Sequence, residues 1–120
     1  MIKLAFIFCH SPYGSSNSRE GLDALLAATA FCNEDEIAVF FMDDGVFNLV
    51  PHQQAELILQ KDFISPLKLL DLYEIENRYV CAQSLQRFGL TQITPVIFCE
   101  KTDRTLLLEK LRQAEKCLVF

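Results

Sequence analysis

Five short apolar runs recur along the chain, and segments of helical character lie between them. The first two runs are apolar almost throughout, which is typical of strands covered on both faces. A regular alternation of such strands with helices predicts an α/β fold, namely an open five-stranded parallel sheet with helices on both faces. The predicted strands are Ile2–Cys9, Ile37–Met42, Arg78–Cys81, Pro95–Cys99 and Lys116–Phe120.

Polar residues and prolines between the apolar runs predict where the helices begin. A helix that is apolar nearly all round, such as 19–31, is expected to contact both the sheet and a partner subunit. The predicted helices are Arg19–Phe31 capped by Ser18, a stretch from Pro51 to about Lys61, a short helix from Ser65-Pro66 to Leu72, a helix that starts after Cys81 and ends at Gly89, and a last helix capped by Thr102 or Asp103.

Cys81 is the candidate functional residue, because it stands where the third strand ends and a helix begins at once. Free backbone N–H groups at a helix start favour a thiolate over a thiol. A thiolate is the form in which cysteine acts as a nucleophile. The alternative reading is a small buried residue that fills a strand end, since free cysteine is among the most buried residue types.

The bulk composition narrows the class of protein. With 120 residues, of which 51% are hydrophobic, the chain suits one domain over 1–120 that buries some surface against partners. A net charge of −5 disfavours direct contact with nucleic acid or an anionic membrane. No apolar run reaches the length of a membrane span, and no export signal is apparent. Five cysteines without a CxxC pair indicate reduced thiols and a cytoplasmic location.

Other possible sites have weaker patterns. Cys9, Cys81 and Cys99 would share one rim with His10 if strands one, three and four were neighbours, which would suit zinc or a Cys9–Cys81 redox pair. The paired spacing of a zinc site is absent, so no metal is predicted. The loop 10–18 precedes a helix, as phosphate-binding loops do, but it lacks GxGxxG. Helix capping explains its polar residues, so no cofactor is predicted.

The remaining polar and cysteine positions have structural interpretations. Asp43 and Asp44 before Gly45 predict a turn in which the side chains bond nearby backbone N–H groups, and a bound cation is the alternative. Cys32 and Cys117 are predicted to be structural, and His52 to be solvated. Neither a Ser/His/Asp set nor a paired-carboxylate site stands out, so neither a hydrolase nor an oxidoreductase site is expected.

Four blocks together carry a resemblance to the TusC/DsrF family of sulfur-relay subunits, in the DsrE/F/H group. They are REGLDALLAATA (19–30), AVFFMDDGVFNLVP (38–51), LKLLDLYEIE (67–76) and VCAQSL (80–85). The resemblance implies a single flavodoxin-like α/β domain. It also implies a heterohexamer with TusB-type and TusD-type sister subunits, and a downstream small sulfur carrier. Cys81 matches the strand-end position of the sulfur-carrying cysteine of the TusD-type sister.

The function implied by the resemblance is passage of persulfide sulfur toward 2-thiolation of the wobble uridine in tRNA, although related Dsr complexes serve sulfur oxidation. In that role Cys81 would be at most a persulfide carrier, with its anion stabilised by helix-end N–H groups. A competing reading is a non-catalytic scaffold subunit of the same complex. A more distant one is a flavin-binding electron carrier.

Overall fold

The computed structural model describes residues 1–51 and 64–120, with the backbone alone for Ile64 and Ser65. The strands are β1 (Leu4–Phe8), β2 (Ile37–Phe41), β3 (Asn77–Cys81), β4 (Glu100–Thr102) and β5 (Lys116–Val119). The α-helices are α1 (Asn17–Ala28), α2 (Ile64–Leu67), α3 (Leu69–Leu72), α4 (Ala82–Arg87) and α5 (Arg104–Gln113), and 3₁₀ segments span Glu34–Glu36 and Asp43–Leu49. The helix predicted from Pro51 to about Lys61, with His52, lies almost wholly outside the described residues.

The five strands form one parallel sheet in the order β4-β3-β2-β1-β5. This confirms the predicted α/β class and the five-stranded parallel sheet. The expectation that strands one and three adjoin is wrong, because β2 lies between them and pairs Phe41 with Phe8 on one side and with Val80 on the other. Periodicity along a strand predicts which faces are buried but carries no information on which strand lies beside it.

Both faces of the sheet are covered, since alternate strand residues point to opposite faces. On one face the phenylalanines Phe6, Phe8 and Phe41 pack with leucines of α1, α3 and α4. On the other face Ile7, Phe40 and Cys81 pack against α5, whose Leu107 is fully buried. Cys81 therefore belongs to the face that α5 covers.

The junction between β3 and α4 has the predicted form. The strand ends at Cys81 and the helix begins at Ala82. Beyond the helix, Gly89 has a φ of 68° and donates from its N–H to the Gln86 carbonyl, while the Leu90 N–H donates to the Leu85 carbonyl. This pair of bonds is the Schellman motif, which places a glycine at C′ because a left-handed backbone carries no side-chain penalty there.

The first helix begins earlier than predicted. It spans Asn17–Ala28 rather than Arg19–Phe31, and Ser18 lies inside it instead of capping it. The buried Ser18 hydroxyl bonds to the carbonyls of His10 and Ser11, at 3.1 and 3.3 Å. The hydroxyl thus connects the preceding loop to the helix, and it does not cap the helix, because Ser18 lies within it.

The segment Pro95–Cys99 was predicted as the fourth strand, and this is wrong. The fourth strand is Glu100–Thr102, whereas the apolar run before it is irregular. Pro95 has no N–H to give to a ladder, and the Val96 N–H donates instead to the carbonyl of Leu49 at 3.0 Å. The run is apolar because Ile97 and Cys99 enter the core from this loop.

The last helix and strand agree with prediction in position. Asp103 caps α5, with its carboxylate accepting from the Thr105 N–H at 3.0 Å. β5 is an edge strand whose four residues are all exposed, so Cys117 is an exposed cysteine rather than a structural one. Across residues 1–51 and 64–120, the helices are too short to cross a membrane.

Candidate functional site

Cys81 lies at the carboxyl end of a central strand, and its relative exposure is 0%. It is the N-cap residue of α4, but its side chain makes no capping bond. In open parallel sheets, ligands and chemistry are found beyond this edge of the strands. The thiol therefore lies at the carboxyl edge of the sheet, on the face covered by α5.

Two polar side chains contact the sulfur. The Cys81 thiol donates to Oε1 of Gln83 at 3.9 Å, and Nη1 of Arg104 donates to the Cys81 sulfur at 3.8 Å. Gln83 lies in the first turn of α4, and Arg104 is the first residue of α5. A guanidinium beside a thiol favours the anionic form of sulfur, because the cation attracts the charge.

The guanidinium of Arg104 is itself paired with a carboxylate. Its Nη1 lies 3.0 Å from Oδ1 of Asp43, and the two side chains are 40% and 45% exposed. The hydrogen bond to Asp43 is the main cause of a raised pKa of Arg104, and the contact with Cys81 adds to it against the opposing effect of burial. The pair forms the solvent-facing side of the site above the buried sulfur.

Asp43 is held in an uncommon backbone conformation. Its φ is 52°, in the left-handed region where aspartate is tolerated better than most residues. Its N–H donates to the hydroxyl of Ser84 at 2.9 Å, and Ser84 lies in α4 two residues after Ala82. The Asp43 carboxylate was predicted to bond nearby backbone N–H groups of its turn, whereas the structure pairs it with Arg104, which lies 61 residues further along the chain.

Gln83 joins the start of α4 to the start of α5. Its Oε1 accepts from the Arg104 N–H at 2.8 Å, and its Nε2 donates to Oδ1 of Asp103 at 2.6 Å. The bond from Gln83, followed by that from the Thr105 N–H, lowers the pKa of Asp103. The backbone position of Arg104 is therefore fixed by α4, independently of its side chain.

Cys9 lies on the same face of the sheet as Cys81, at the end of β1. Burial raises the pKa of the Cys9 thiol, Asp43 raises it further, and Arg104 lowers it. Two strand spacings separate the ends of β1 and β3, so their Cα atoms are about 10 Å apart. A disulfide needs Cα atoms within roughly 7 Å, and a direct Cys9–Cys81 redox pair is therefore wrong for this fold.

Cys99 does not join these two cysteines. It packs into the core on the opposite face of the sheet, and burial raises its pKa to about 12. The rim shared by Cys9, Cys81 and Cys99 is therefore wrong. In the part of the chain that the structure describes, no three His, Cys, Asp or Glu side chains cluster as metal ligands would.

Hydroxyl and amide side chains hold the loop before α1 in place. Ser11 donates to the carbonyl of Tyr13 at 2.7 Å, and Ser18 bonds two loop carbonyls as described above. His10 is 3.3 Å from the Asn17 amide through Nδ1. These contacts hold the loop to itself and to the start of α1.

A separate cleft of about 500 Å³ lies between the sheet and the later turns of α5. Its lining includes Phe40, whose ring stacks on Tyr79 at 5.2 Å, and Lys110, whose Nζ lies 4.9 Å from the Tyr79 centroid. Cys81 does not line this cleft. The apolar cleft and the polar thiol site are thus two features of one face of the sheet.

Sequence reasoning selected Cys81 but missed Arg104 and Gln83. Gln83 had a signal, since it stands two residues after the cysteine in the first turn of the predicted helix. Arg104 had none beyond following a cap, because only the order of the strands brings the start of α5 to the end of β3.

The fold and the site define an α/β protein with a thiol at the carboxyl edge of a parallel sheet. Residues 2–120 match the model of the DsrE/DsrF-like family, so the chain belongs to that family. It is 58% identical to a TusC homolog of Haemophilus influenzae, over 99% of this chain and 100% of the relative. It is 50% identical to TusC of Escherichia coli O157:H7, over 81% and 80% of the two chains. The resemblance to the TusC/DsrF family is confirmed.

A solved structure agrees with the fold. The crystal structure of the YchN protein from Escherichia coli aligns over 100% of both chains with a TM-score of 0.80, at 20% identity. At that identity the likeness concerns the fold alone. The family and its TusC members support a sulfur-relay role connected with tRNA modification.

Proposed function

We propose that this chain is a subunit of a sulfur-relay complex and that Cys81 carries persulfide sulfur toward 2-thiolation of the tRNA wobble uridine. Membership of the DsrE/DsrF-like family and the TusC relatives support the pathway. The observation that carries the assignment to Cys81 is that its sulfur accepts a hydrogen bond from the Arg104 guanidinium at the carboxyl edge of the sheet. Cys99 lies instead in the core on the opposite face of the sheet, away from this edge.

The proposed transfer is a thiolate exchange in two steps. The Cys81 thiolate attacks the outer sulfur of a donor persulfide R–S–SH, the donor S–S bond breaks, and R–S⁻ leaves with the electron pair. A new S–S bond gives Cys81–S–SH. A downstream thiolate then attacks that outer sulfur and regenerates the Cys81 thiolate, so that no external oxidant or reductant is consumed.

The proposed partners are TusB-type and TusD-type sister subunits in a heterohexamer, with a downstream small sulfur carrier, in the cytoplasm. Large apolar side chains exposed on this chain support extensive protein contacts. Among the described residues the most exposed of them are Phe31, Met1, Phe98, Leu72 and Val119, at 90%, 87%, 74%, 74% and 62%. A net charge of −5 supports contact with tRNA through another subunit rather than this one.

A second candidate is a non-catalytic scaffold subunit of the same complex. The observation in its favour is the complete burial of Cys81, since a thiol with 0% exposure meets a donor only if the covering side chains move. The two candidates share fold and partners and differ in whether the chemistry of Cys81 is needed.

The test is made on the complex co-expressed with its sister subunits and loaded by a desulfurase with persulfide sulfur. Peptide mass spectrometry then maps the gain of one sulfur atom. The proposal expects a gain on Cys81 that a downstream thiol removes, and loss of tRNA thiolation in Cys81→Ser. Cys117→Ser, at an exposed cysteine, is the matched control. A Cys81→Ser complex that assembles and thiolates tRNA at the normal level would establish the scaffold.

A further inference from the structure

We propose that Arg104 holds the negative charge of the sulfur on Cys81, as thiolate and as persulfide anion, and that Asp43 is a positioning residue that keeps the guanidinium there. This inference rests on the proposed role of Cys81 as a sulfur carrier. The site is thereby assigned to anionic sulfur, with a cation, Arg104, that the sequence patterns did not connect with Cys81.

The first support is the way Arg104 is mounted. Its N–H is bonded to Gln83, so the start of α5 is fixed beside the cysteine whatever the side chain does. From there Nη1 reaches the sulfur at 3.8 Å. A guanidinium is charged at every physiological pH and offers five N–H donors in a fixed plane. An outer sulfur lies about 2 Å from the inner one, so a persulfide anion directed toward Arg104 stays within its reach.

The second support is the conformation of Asp43. A non-glycine residue keeps a φ of 52° where contacts with the surrounding structure hold its backbone, and such residues concentrate at functional sites. Here the Ser84 hydroxyl accepts from the Asp43 N–H, and the carboxylate receives the same Nη1 of Arg104 that contacts the sulfur. The carboxylate thereby holds the guanidinium in its position beside the sulfur.

The ionisable groups around the sulfur come from each element packed on it. α5 contributes Arg104 and its cap Asp103, which reaches the site through Gln83. The 3₁₀ segment Asp43–Leu49 contributes Asp43. The end of β1 contributes Cys9, whose pKa is raised by burial and by Asp43 and lowered by Arg104. Among these groups, Arg104 is the cation in direct contact with the sulfur.

The experiment measures the rate of alkylation of Cys81 by iodoacetamide against pH in the full chain, by peptide mass spectrometry. The midpoint of the profile reports charge on the sulfur, and the plateau at high pH reports access. Arg104→Gln should move the midpoint upward and slow alkylation at neutral pH about six-fold. That factor is the Coulomb effect of one charge at this distance in a water-like dielectric, and exclusion of water enlarges it.

The controls separate this effect from a structural one. Arg104→Lys keeps the charge and should restore part of the shift. Arg112→Gln, on the same helix and paired with Glu109, should leave the profile unchanged. Asp43→Gly removes the carboxylate and permits the left-handed backbone, so Arg104→Gln in that background should lose most of its effect. Asp44→Asn, at the exposed neighbouring carboxylate, should preserve the full effect.

Persulfide loading of the complex distinguishes this inference from the proposed function. If wild type gains sulfur on Cys81 and Arg104→Gln gains it more slowly, with the shifted profile, the inference stands. If wild type loads but Arg104→Gln has an unchanged profile, the role of Arg104 is overturned and the carrier remains. If Arg104→Gln has the same effect with and without the Asp43 carboxylate, the positioning role of Asp43 is overturned. If wild type gains no sulfur on Cys81, the carrier and the persulfide role of Arg104 fail together.

Discussion

Gly45 lies where two backbone segments come too close for any side chain. A Cβ at this position would be 1.7 Å from the carbonyl oxygen of Phe8 and 2.4 Å from its carbonyl carbon. The same oxygen accepts a hydrogen bond from the Met42 N–H at 3.1 Å, and the Phe8 ring is fully buried and stacked on Phe41. Gly45→Ala must therefore push the 3₁₀ segment away from the end of β1.

The size of the effect follows from the shortfall in distance. Carbon and oxygen rarely approach below about 3.3 Å, so the segments must separate by more than about 1 Å. Overpacking costs about 1–3 kcal/mol even where side chains can yield, and here backbone meets backbone. Stretching the Met42–Phe8 hydrogen bond adds about 1 kcal/mol. We expect Gly45→Ala to lose about 3 kcal/mol or more, which lowers Tm by about 12 °C in a domain of this size.

Thermal and urea unfolding of wild type, Gly45→Ala and Gly89→Ala would test this reasoning. Gly89 has open space around an added Cβ but a φ of 68°, so its replacement should cost only the backbone strain, about 1 kcal/mol. A Gly45→Ala protein that melts within a few degrees of wild type, or above Gly89→Ala, would refute the argument. It would mean that the 3₁₀ segment moves freely, and with it Asp43.

Two further predictions follow from shifted pKa values. The pKa of Asp103 is lowered below its usual 3.8, so the contribution of this carboxylate to stability is present above that pH and is lost as pH falls through the folded-state pKa. Asp103→Asn keeps a capping oxygen but does not titrate. The urea midpoint of this variant should therefore fall less steeply than that of wild type below pH 3.8. Parallel curves would contradict this. With the pKa of Cys99 raised from 9.0 to about 12, its thiolate is about a thousand-fold rarer at neutral pH, so native iodoacetamide labelling should be at least about a hundred-fold slower at Cys99 than at the exposed Cys117. Comparable rates at the two peptides would show that the core around Cys99 opens readily.

Local signals in the sequence were sufficient to predict the β3–α4 junction. Strand-forming Tyr79 and Val80, helix formers after Cys81, and a glycine at the C′ position all act over a few residues, and the structure agrees with each. The cap of α5 was predicted as Thr102 or Asp103 for the same reason, and the structure has Asp103. These features depend on hydrogen bonds between near neighbours in the chain.

Features that depend on distant segments were predicted poorly. Pro95–Cys99 has the composition of a buried strand, but its neighbours in space decide that it packs as a loop. The pairing of Asp43 with Arg104 depends on strand order, which places the ends of β2 and β3 and the start of α5 at one edge. Hydrophobic periodicity does not encode that order, so Cys81 was predictable as a candidate while its cation was not.

The energetics of the site support the proposal that Cys81 takes part in chemistry. The Arg104–Asp43 pair is about 40% exposed, and a pair of that kind contributes roughly 0–1 kcal/mol to stability. A cysteine that only fills the end of a strand behaves as a small apolar residue and needs neither a cation nor an amide at its sulfur. Instead an amide oxygen and a guanidinium contact the Cys81 sulfur. The guanidinium is paired with Asp43, whose φ of 52° lies in the left-handed region. Since folding gains little from these contacts, they support the proposal that the Cys81 sulfur carries a negative charge.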